Sequence, residues 1–325
     1  MSTNYLPSEP TLYLLEVLQR SGIGAVTVRK IAREILKTRN KNFDDVNSTL
    51  LYQNLGESPE YVDKARYSRD QIVSACQNNS IFIISMLDTQ YPPLLRGVED
   101  APPIIYVKGE LHSLQHSINI AVVGTRKASD VGLKWAHAIA RYLAELRITV
   151  VSGLALGIDT AAHTGSLSAG GITVSILAHG LDMVAPSTNK ELALSILNSG
   201  GALVSEHPPG VPPRPPEFVR RNRIQSGISS ASIIVETGIT GGSIHQANFT
   251  VSQRRELFVV LPAANSPHRE HFNDIGGKML VQQINAKSIS RKSDILNMVT
   301  SLDPSRYSKQ TTTSRNVNEQ LDLDW

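Results

Sequence analysis

The chain has 325 residues, of which 41% are hydrophobic and 19% are charged, and its formal net charge is +3. This length predicts one large core plus a smaller domain. No apolar run approaches the roughly 20 residues that a membrane helix needs, and the amino-terminal segment lacks the basic and apolar regions of a signal peptide. The single cysteine, Cys76, excludes an intrachain disulfide framework and a Cys-rich zinc site. We therefore expect a cytoplasmic protein without a membrane partner.

The amino-terminal part of the chain shows two helical patterns, joined by Ser21-Gly22-Ile23-Gly24. A glycine turn before a helix is similar to a helix–hairpin–helix, whose exposed amides can hold a nucleic-acid phosphate. A plain helical corner is the alternative. Weak helical patterning continues to about Asn78, so we predict a small N-terminal α-helical domain over residues 1–78.

From residue 79 onward, buried strands alternate with helices. The strand predicted over residues 118–123 is apolar throughout, and Ser129 or Asp130 then caps a helix. Further strands are predicted over residues 81–85, 104–108, 148–151, 173–177, 202–205, 232–236 and 257–261. This alternation predicts an α/β fold with a doubly wound parallel sheet over residues 79–295. Ligands of such sheets bind at the carboxyl ends of the strands.

Three local signals complete the fold prediction. Thr188 followed by Glu191 matches a capping box that would open a helix, and prolines are expected to keep residues 91–103 from being helical. The chain becomes polar from about Ser301, so residues 296–325 are predicted to be a flexible tail.

The usual enzyme motifs are missing from this sequence. It contains no P-loop, no dinucleotide-binding glycine fingerprint after the first parallel strand, no H-E-x-x-H and no G-x-S-x-G, and its nine histidines show no metal spacing. We expect no cofactor, no metal and no catalytic residue. Asp159 and His163 share one helix face and could act as a general base, but no nucleophile accompanies them, and fixing the turn is the favoured role.

The strongest charge signal is a cluster of four arginines and one glutamate between residues 214 and 223, with a net charge of +3. On a helix, Arg220 and Arg223 share a face, and Arg221 lies about 100° from Arg220. Guanidinium groups suit phosphates and also stack on unpaired bases. The alternative is a charged face that pairs with acids elsewhere. Arg126 and Lys127 form a second basic pair, and glycine turns at residues 153–157 and 238–242 would expose amides at the same edge of the sheet.

Several segments together resemble the DNA-processing protein A (DprA/Smf) family. They are Tyr91-Pro-Pro-Leu-Leu95, Ala121-Val-Val-Gly-Thr-Arg126, Val151-Ser-Gly-Leu-Ala-Leu-Gly-Ile-Asp-Thr-Ala-Ala-His163, Gly180-Leu-Asp182, Ser205-Glu-His-Pro208 and Phe218-Val-Arg-Arg-Asn-Arg-Ile224. The resemblance implies an extended Rossmann-like fold with helices on both faces that binds single-stranded DNA. It also implies a homodimer that protects incoming DNA and loads the RecA recombinase in transformation, without catalysis.

The candidate DNA and phosphate contacts follow from the basic and glycine segments together with this resemblance. They are Arg126, Lys127, Gly153, Gly157, Asp159, Arg220, Arg221, Asn222, Arg223, Gly241, Gly242 and Ser243. One departure is Leu156, which stands where the family commonly has a basic residue. The chain is also too short after Ile295 for the winged-helix domain that many members carry.

Two further hypotheses remain open from the sequence. The carboxyl-terminal Gln320, Leu321, Leu323 and Trp325 resemble a peptide that binds the bacterial sliding clamp, although such short motifs recur by chance. The alternative function is a nucleotide sensor or hydrolase on the same fold, for which Glu206, Glu236, Asp159 and His163 would supply the contacts. An interaction scaffold in a defence module is a third hypothesis, supported only by the tail.

Overall fold

The computed structural model describes residues 6–37, 59–263, 266 and 269–302. Its centre is a nine-stranded sheet in the order β1-β2-β6-β5-β4-β3-β7-β8-β9, in which β1–β2 and β2–β6 are antiparallel and the other pairs are parallel. The strands are β1 Ile81–Ser85, β2 Ile104–Gly109, β3 Asn119–Val123, β4 Thr149–Ser152, β5 Thr173–Ile176, β6 Ala202–Ser205, β7 Ala231–Ile234, β8 Glu256–Val260 and β9 Lys287–Ile289.

Helices cover both faces of this sheet. They span Glu9–Leu18, Ala25–Lys37, Pro59–Asn78, Pro93–Arg96, Asp130–Glu145, Ile158–Ser168, Lys190–Asn198, Pro215–Ile228, Gly242–Ser252, Ile275–Ile284 and Lys292–Leu302. Trp135 packs in one core cluster with Ile120, whereas Ile224 packs in another with Val151. The predicted α/β architecture is therefore confirmed. None of the described helices is long and apolar enough to cross a bilayer.

The order of the strands determines where a ligand site can form. From β3 the chain adds β4, β5 and β6 on one side and then returns to place β7 on the other side of β3. The loops after β3 and β7 therefore diverge and leave a crevice at the carboxyl edge of the sheet. Such a switch point is the usual binding site in open parallel sheets.

The amino-terminal helices share their core with the antiparallel edge of the sheet. Leu14 and Leu15 are fully buried in the same cluster as Tyr91 and Ile105. The Thr11 hydroxyl also donates to the Asp88 carboxylate at 2.6 Å. These helices therefore pack against the larger core, and the boundary after residue 78 remains a prediction about chain organisation.

Two local expectations were wrong, and both concern where helices begin. Pro93 opens the short helix Pro93–Arg96, because proline is tolerated in the first turn, where its missing N–H has no partner to lose. The expected capping box at Thr188 does not form. The helix starts at Lys190 instead, and the Asn189 side chain donates to the Leu154 carbonyl at 2.8 Å.

The folded core extends beyond the predicted start of the tail. The helix Lys292–Leu302 crosses residue 296 and buries Met298 and Val299. The tail of residues 303–325, with the predicted clamp-binding residues Gln320, Leu321, Leu323 and Trp325, lies outside the described residues.

Candidate functional site

A cleft of about 450 Å³ opens at the carboxyl ends of β3 and β7. We call it the switch-point cleft. The loop after β3, the turn after β4, the helix Pro215–Ile228 (the arginine helix) and the loop 237–243 form its walls. Among the residues that line it are Arg126, Asp159, Phe218, Arg221, Asn222 and Gly241. Of the groups singled out in the sequence, the structure places at this cleft Arg126 of the basic pair, Arg221 of the arginine cluster and most of the glycine turn 238–242.

Arg126 and Phe218 form the mouth of the cleft. The Arg126 guanidinium carbon lies 5.1 Å from the centroid of the Phe218 ring, which is within range of a cation–π contact. Arg126 is exposed, and no carboxylate within the described residues forms a salt bridge with it. The mouth therefore presents a positive charge, with no carboxylate partner in the described part of the chain, next to a half-buried aromatic ring.

Arg221 forms the floor of the cleft and is only 5% exposed. One guanidinium nitrogen donates to the Ile176 carbonyl at 2.5 Å and to the Gln225 side chain at 2.9 Å. Burial lowers the pKa of Arg221 to about 10, while the charge of Asp159 raises it and that of Arg126 lowers it. The guanidinium therefore remains charged at neutral pH and adds a fixed positive potential beneath the cleft.

Asp159 holds the turn after β4 in place. Its carboxylate accepts the backbone N–H of Gly153 at 3.1 Å and that of Ala155 at 3.4 Å. Burial raises the pKa of Asp159, and the Arg221 charge and these hydrogen bonds counteract that rise. Gly157 has a φ of +79°, which favours glycine, directly before the helix Ile158–Ser168. The carboxylate therefore shapes the wall of the cleft instead of standing free for a ligand.

Two further arginines of the cluster, Arg220 and Arg223, are paired with acids. Arg223 is 5% exposed and does not line the cleft, and its guanidinium lies 2.6 Å from Glu206 and 3.4 Å from Asp100. Arg220 has a half-exposed side chain 3.8 Å from Glu206 and 3.9 Å from Glu217. Both arginines reach the same carboxylate, as their predicted common face requires. For Arg223 the structure favours the alternative of pairing with acids over the predicted phosphate contact.

The DNA recombination-mediator protein A family matches residues 82–300, a range that contains the whole lining of the cleft. The chain belongs to this family. It is 42% identical over 183 residues to protein Smf of Escherichia coli, which is 55% of this chain and 49% of that protein. It is 32% identical over 225 residues to DNA processing protein DprA of Bacillus subtilis, which is 69% of this chain and 73% of that protein. The match to the E. coli protein thus spans about half of that relative's length.

Solved structures of this family have the same fold. DNA processing protein A from Streptococcus pneumoniae superposes with a TM-score of 0.70 at 28% identity, covering 90% of this chain and 98% of that chain. The Helicobacter pylori protein, whose single-stranded DNA binding mode has been described, gives a TM-score of 0.59 at 23% identity, covering 68% of this chain and 96% of that chain. The second likeness establishes the fold alone.

In this family member, the loop 237–243 supplies polar groups to the cleft. The Asn222 amide donates to the Gly242 carbonyl at 3.0 Å, and the Ser243 and Thr237 hydroxyls are 2.6 Å apart. Gly241 and Gly242 are exposed at the start of the helix Gly242–Ser252. A helix start with exposed amides suits an anionic oxygen. The cleft therefore combines amide donors at one wall with the Arg126 guanidinium at its mouth.

The acidic residues proposed for a nucleotide site are engaged within the protein. Glu236 accepts the backbone N–H groups of Ser129 and Asn273, both at 2.9 Å, and thereby supports the start of the helix Asp130–Glu145. Glu206 is occupied by Arg223. Both glutamates therefore have structural roles in this protein and are not free to contact a nucleotide.

The donor atoms of Glu206, His207 and Glu217 lie within 4.8 Å of one another, a spacing that could suit a metal ion. Arg220 and Arg223 contact the same carboxylates, however. Their positive charges would repel a cation, and the cluster is best described as an ion-pair network.

The geometry contradicts the general-base alternative for Asp159 and His163. The Nδ1 atom of His163 lies 2.7 Å from the Thr173 hydroxyl, and the ring is fully buried. Burial, and then the Arg221 charge, lower the pKa of His163 to about 3. The imidazole is therefore neutral and out of reach of a ligand, and it fills the core beneath the helix Ile158–Ser168.

This buried histidine predicts a loss of stability in acid. The folded pKa of about 3 lies below the ordinary 6.5, so the stabilisation is complete above pH 6.5 and is lost as the pH falls toward 3. Relative to His163→Asn, the wild type should lose about 3 kcal/mol of unfolding free energy between pH 7 and pH 4. The raised pKa of Asp159 acts in the opposite direction but is common to both proteins. Urea unfolding at both pH values measures the difference; parallel losses in the two proteins would refute it.

Phe218 is the cleft residue beside Arg126 that the predicted contacts omit. Phe218 belongs to the same motif as Arg221 and Asn222, but it was not among the predicted contacts. The signal available was its position three residues before Arg221, which is one turn along the same helix face. Of the selected residues, Lys127 is exposed and lies outside the cleft lining, and Gly153 lies against the Arg221 guanidinium.

Proposed function

We propose that this chain binds single-stranded DNA in the switch-point cleft and acts as a recombination mediator that catalyses no reaction. The observation that carries this proposal is the Arg126 guanidinium over the Phe218 ring, exposed and without a carboxylate partner among the described residues. The exposed backbone at Gly241 and Gly242 lines the same cleft. A phosphate would lie at the amides and the guanidinium, and a base would stack beside the ring.

The same features favour a single strand over a duplex. A planar aromatic ring and a guanidinium stack on bases only when the bases are unpaired and turned outward. Recognition of stacking faces and phosphates predicts binding with little dependence on sequence.

The cellular role follows the family. By likeness to relatives named DNA processing protein, the chain would process DNA during transformation, protecting incoming single strands and loading the RecA recombinase. The solved H. pylori relative is one that binds single-stranded DNA.

We also propose that the chain works as a homodimer in the cytoplasm, and that the tail residues Gln320 to Trp325 contact the sliding clamp. Deleting these tail residues should abolish capture of the clamp in a pull-down; failure of the intact chain to bind it would refute this part.

A nucleotide sensor or hydrolase is less well supported by the site. Asp159, His163, Glu206 and Glu236 would have supplied its contacts, and each of them is engaged by protein groups. The cleft offers a phosphate site and a stacking surface. A strand of nucleotides can use both equally well, so these features do not favour a free nucleotide.

Equilibrium binding of fluorescent oligonucleotides tests the proposal. The wild type should bind a single strand more tightly than the matching duplex, and a mononucleotide should not compete at equal concentration. Arg126→Glu should weaken binding by roughly 10- to 100-fold, because a charge-assisted contact contributes about 1.5–3 kcal/mol. Lys190→Glu is the control, since Lys190 is exposed and lies outside the cleft. Preference for duplex, or stabilisation by a mononucleotide without oligonucleotide binding, would contradict the proposal.

A further inference from the structure

A second concave surface continues outward from the mouth of the cleft. It has a volume of about 890 Å³ and runs between the helices Asp130–Glu145 and Ile158–Ser168. We call it the lateral groove and define it by Arg126, Lys127, Leu133, Lys134, Arg141 and Leu156. Arg126 lines both the cleft and the groove, so the two surfaces are continuous at that residue.

The charge of the lateral groove is positive and mostly without counter-ions. Within the described residues, no carboxylate lines it and none forms a salt bridge with Arg126, Lys127 or Lys134. Arg141 lies 3.0 Å from Glu145. The Arg141 side chain is 52% exposed, and ion pairs between exposed side chains contribute little free energy, so Arg141 can exchange Glu145 for another anion. The arginine helix differs, because two of its arginines are paired with Glu206. Arg126, Lys127 and Lys134 are therefore cations along the groove without a salt bridge to any described residue.

The spacing of these cations follows one helix face. Lys134 and Arg141 are seven residues apart, which is about two turns and roughly 10 Å along the axis. His137 lies between them on the same face, and burial, followed by the Arg141 charge, lowers its pKa, so it adds no charge at neutral pH. The groove therefore carries a row of fixed positive charges that extends away from Arg126.

Apolar surface accompanies this row. Leu156 is 48% exposed in the turn beside Gly157, and Leu133 is half-buried on the facing helix. Both side chains add apolar surface to the groove. A groove with separate cations and exposed apolar side chains matches a polymer with an anionic backbone and apolar faces.

We propose that the lateral groove binds the continuation of a single-stranded nucleic acid that leaves the switch-point cleft past Arg126. Lys127, Lys134 and Arg141 contact its phosphates, and Leu133 and Leu156 contact its bases. This inference rests on the proposed function of the cleft and extends the binding site beyond it. The occupant is a nucleic-acid strand instead of a second protein copy, because the groove offers positive charge and no acidic group to a partner.

Binding of oligothymidylates from about 4 to about 16 nucleotides, the range of known single-strand site sizes, tests the groove. The wild type should gain affinity with length beyond the oligonucleotide that fills the cleft. The variant Lys134→Gln with Arg141→Gln should keep the affinity for the shortest oligonucleotide that binds and lose the gain with length. On the longest oligonucleotide, the slope of log affinity against log salt should fall by about 1.4, since each neutralised single-strand phosphate contributes about 0.7.

The variant Lys190→Gln with Arg291→Gln is the matched control, because it removes the same charge from exposed positions outside the groove. The control variant should show the same increase of affinity with oligonucleotide length as the wild type. Failure of the wild type to bind any short oligonucleotide would refute the cleft itself. Binding of short oligonucleotides with a length gain that the groove variant retains would refute the groove alone. A change in oligomeric state of the groove variant, with unchanged length dependence, would overturn the proposal in favour of a protein interface.

Discussion

Replacing Arg221 by methionine is expected to lower the free energy of unfolding by about 3 kcal/mol, because it leaves the buried Asp159 without its compensating charge. Asp159 is 6% exposed, and its pKa is already raised by burial despite the Arg221 charge. Breaking a buried ion pair typically costs about 3–5 kcal/mol of unfolding free energy. We expect the lower value here because the Gly153 and Ala155 amides still donate hydrogen bonds to the Asp159 carboxylate. Urea unfolding followed by circular dichroism measures it.

The electrostatic interaction between Arg221 and Asp159 is tested by adding the variant Asp159→Asn and the double variant. Asp159→Asn alone should also destabilise, since it leaves Arg221 buried beside a neutral group. The double variant should lose less than the sum of the two single losses, with a coupling of about 1–3 kcal/mol. Additive losses would show that the two side chains do not interact, and the account of the cleft floor would be wrong.

Gly153→Val is expected to cause the second large loss, about 3 kcal/mol, because a side chain at this position would overlap the Arg221 guanidinium. The buried arginine cannot move aside without breaking its hydrogen bond to the Ile176 carbonyl. Affinity for single strands should fall as well, since the turn after β4 forms one wall of the cleft. Thermal unfolding and oligonucleotide binding measure the two effects.

Gly24→Val is the control for this substitution. No atom would lie within 4 Å of an added Cβ at Gly24. Gly24 accepts the first backbone hydrogen bonds of the helix Ala25–Lys37, so losing the glycine there should cost about 1 kcal/mol, clearly less than Gly153→Val. A Gly153→Val protein as stable as the wild type would show that the guanidinium does not occupy the space beside the glycine.

The sequence predicted the sheet well because its signals are local. A buried parallel strand is a short apolar run, and the runs around residues 120, 150 and 258 lie in β3, β4 and β8. β9 was missed because it has only three residues, of which Lys287 and Ser288 are exposed. The helices Ile275–Ile284 and Lys292–Leu302 were missed because they are short, with 10 and 11 residues, and each buries only three residues, so their apolar pattern is weak.

The site was predicted in part. The gathering of Arg126, the arginine helix and the glycine turns at one edge follows from the strand order, and the motifs were sufficient to suggest it. Which arginine keeps a free charge could not be predicted, since that depends on tertiary neighbours. Arg223 is neutralised by Asp100 and Glu206, and Arg221 is buried against Gly153, whereas Arg126 has no carboxylate partner among the residues that the structure describes. The residues next to each arginine in the sequence do not distinguish these three environments.

The central claim is that a single strand lies across Arg126 and Phe218 in the switch-point cleft. Photocrosslinking with an oligonucleotide that carries 5-iodouracil, followed by mass spectrometry of the peptides, tests this most directly because the reaction favours aromatic side chains stacked on the base. We expect the crosslink to fall on Phe218 and to disappear in Phe218→Leu. Crosslinks confined to the amino-terminal helices or the antiparallel edge, with none in the cleft, would contradict it.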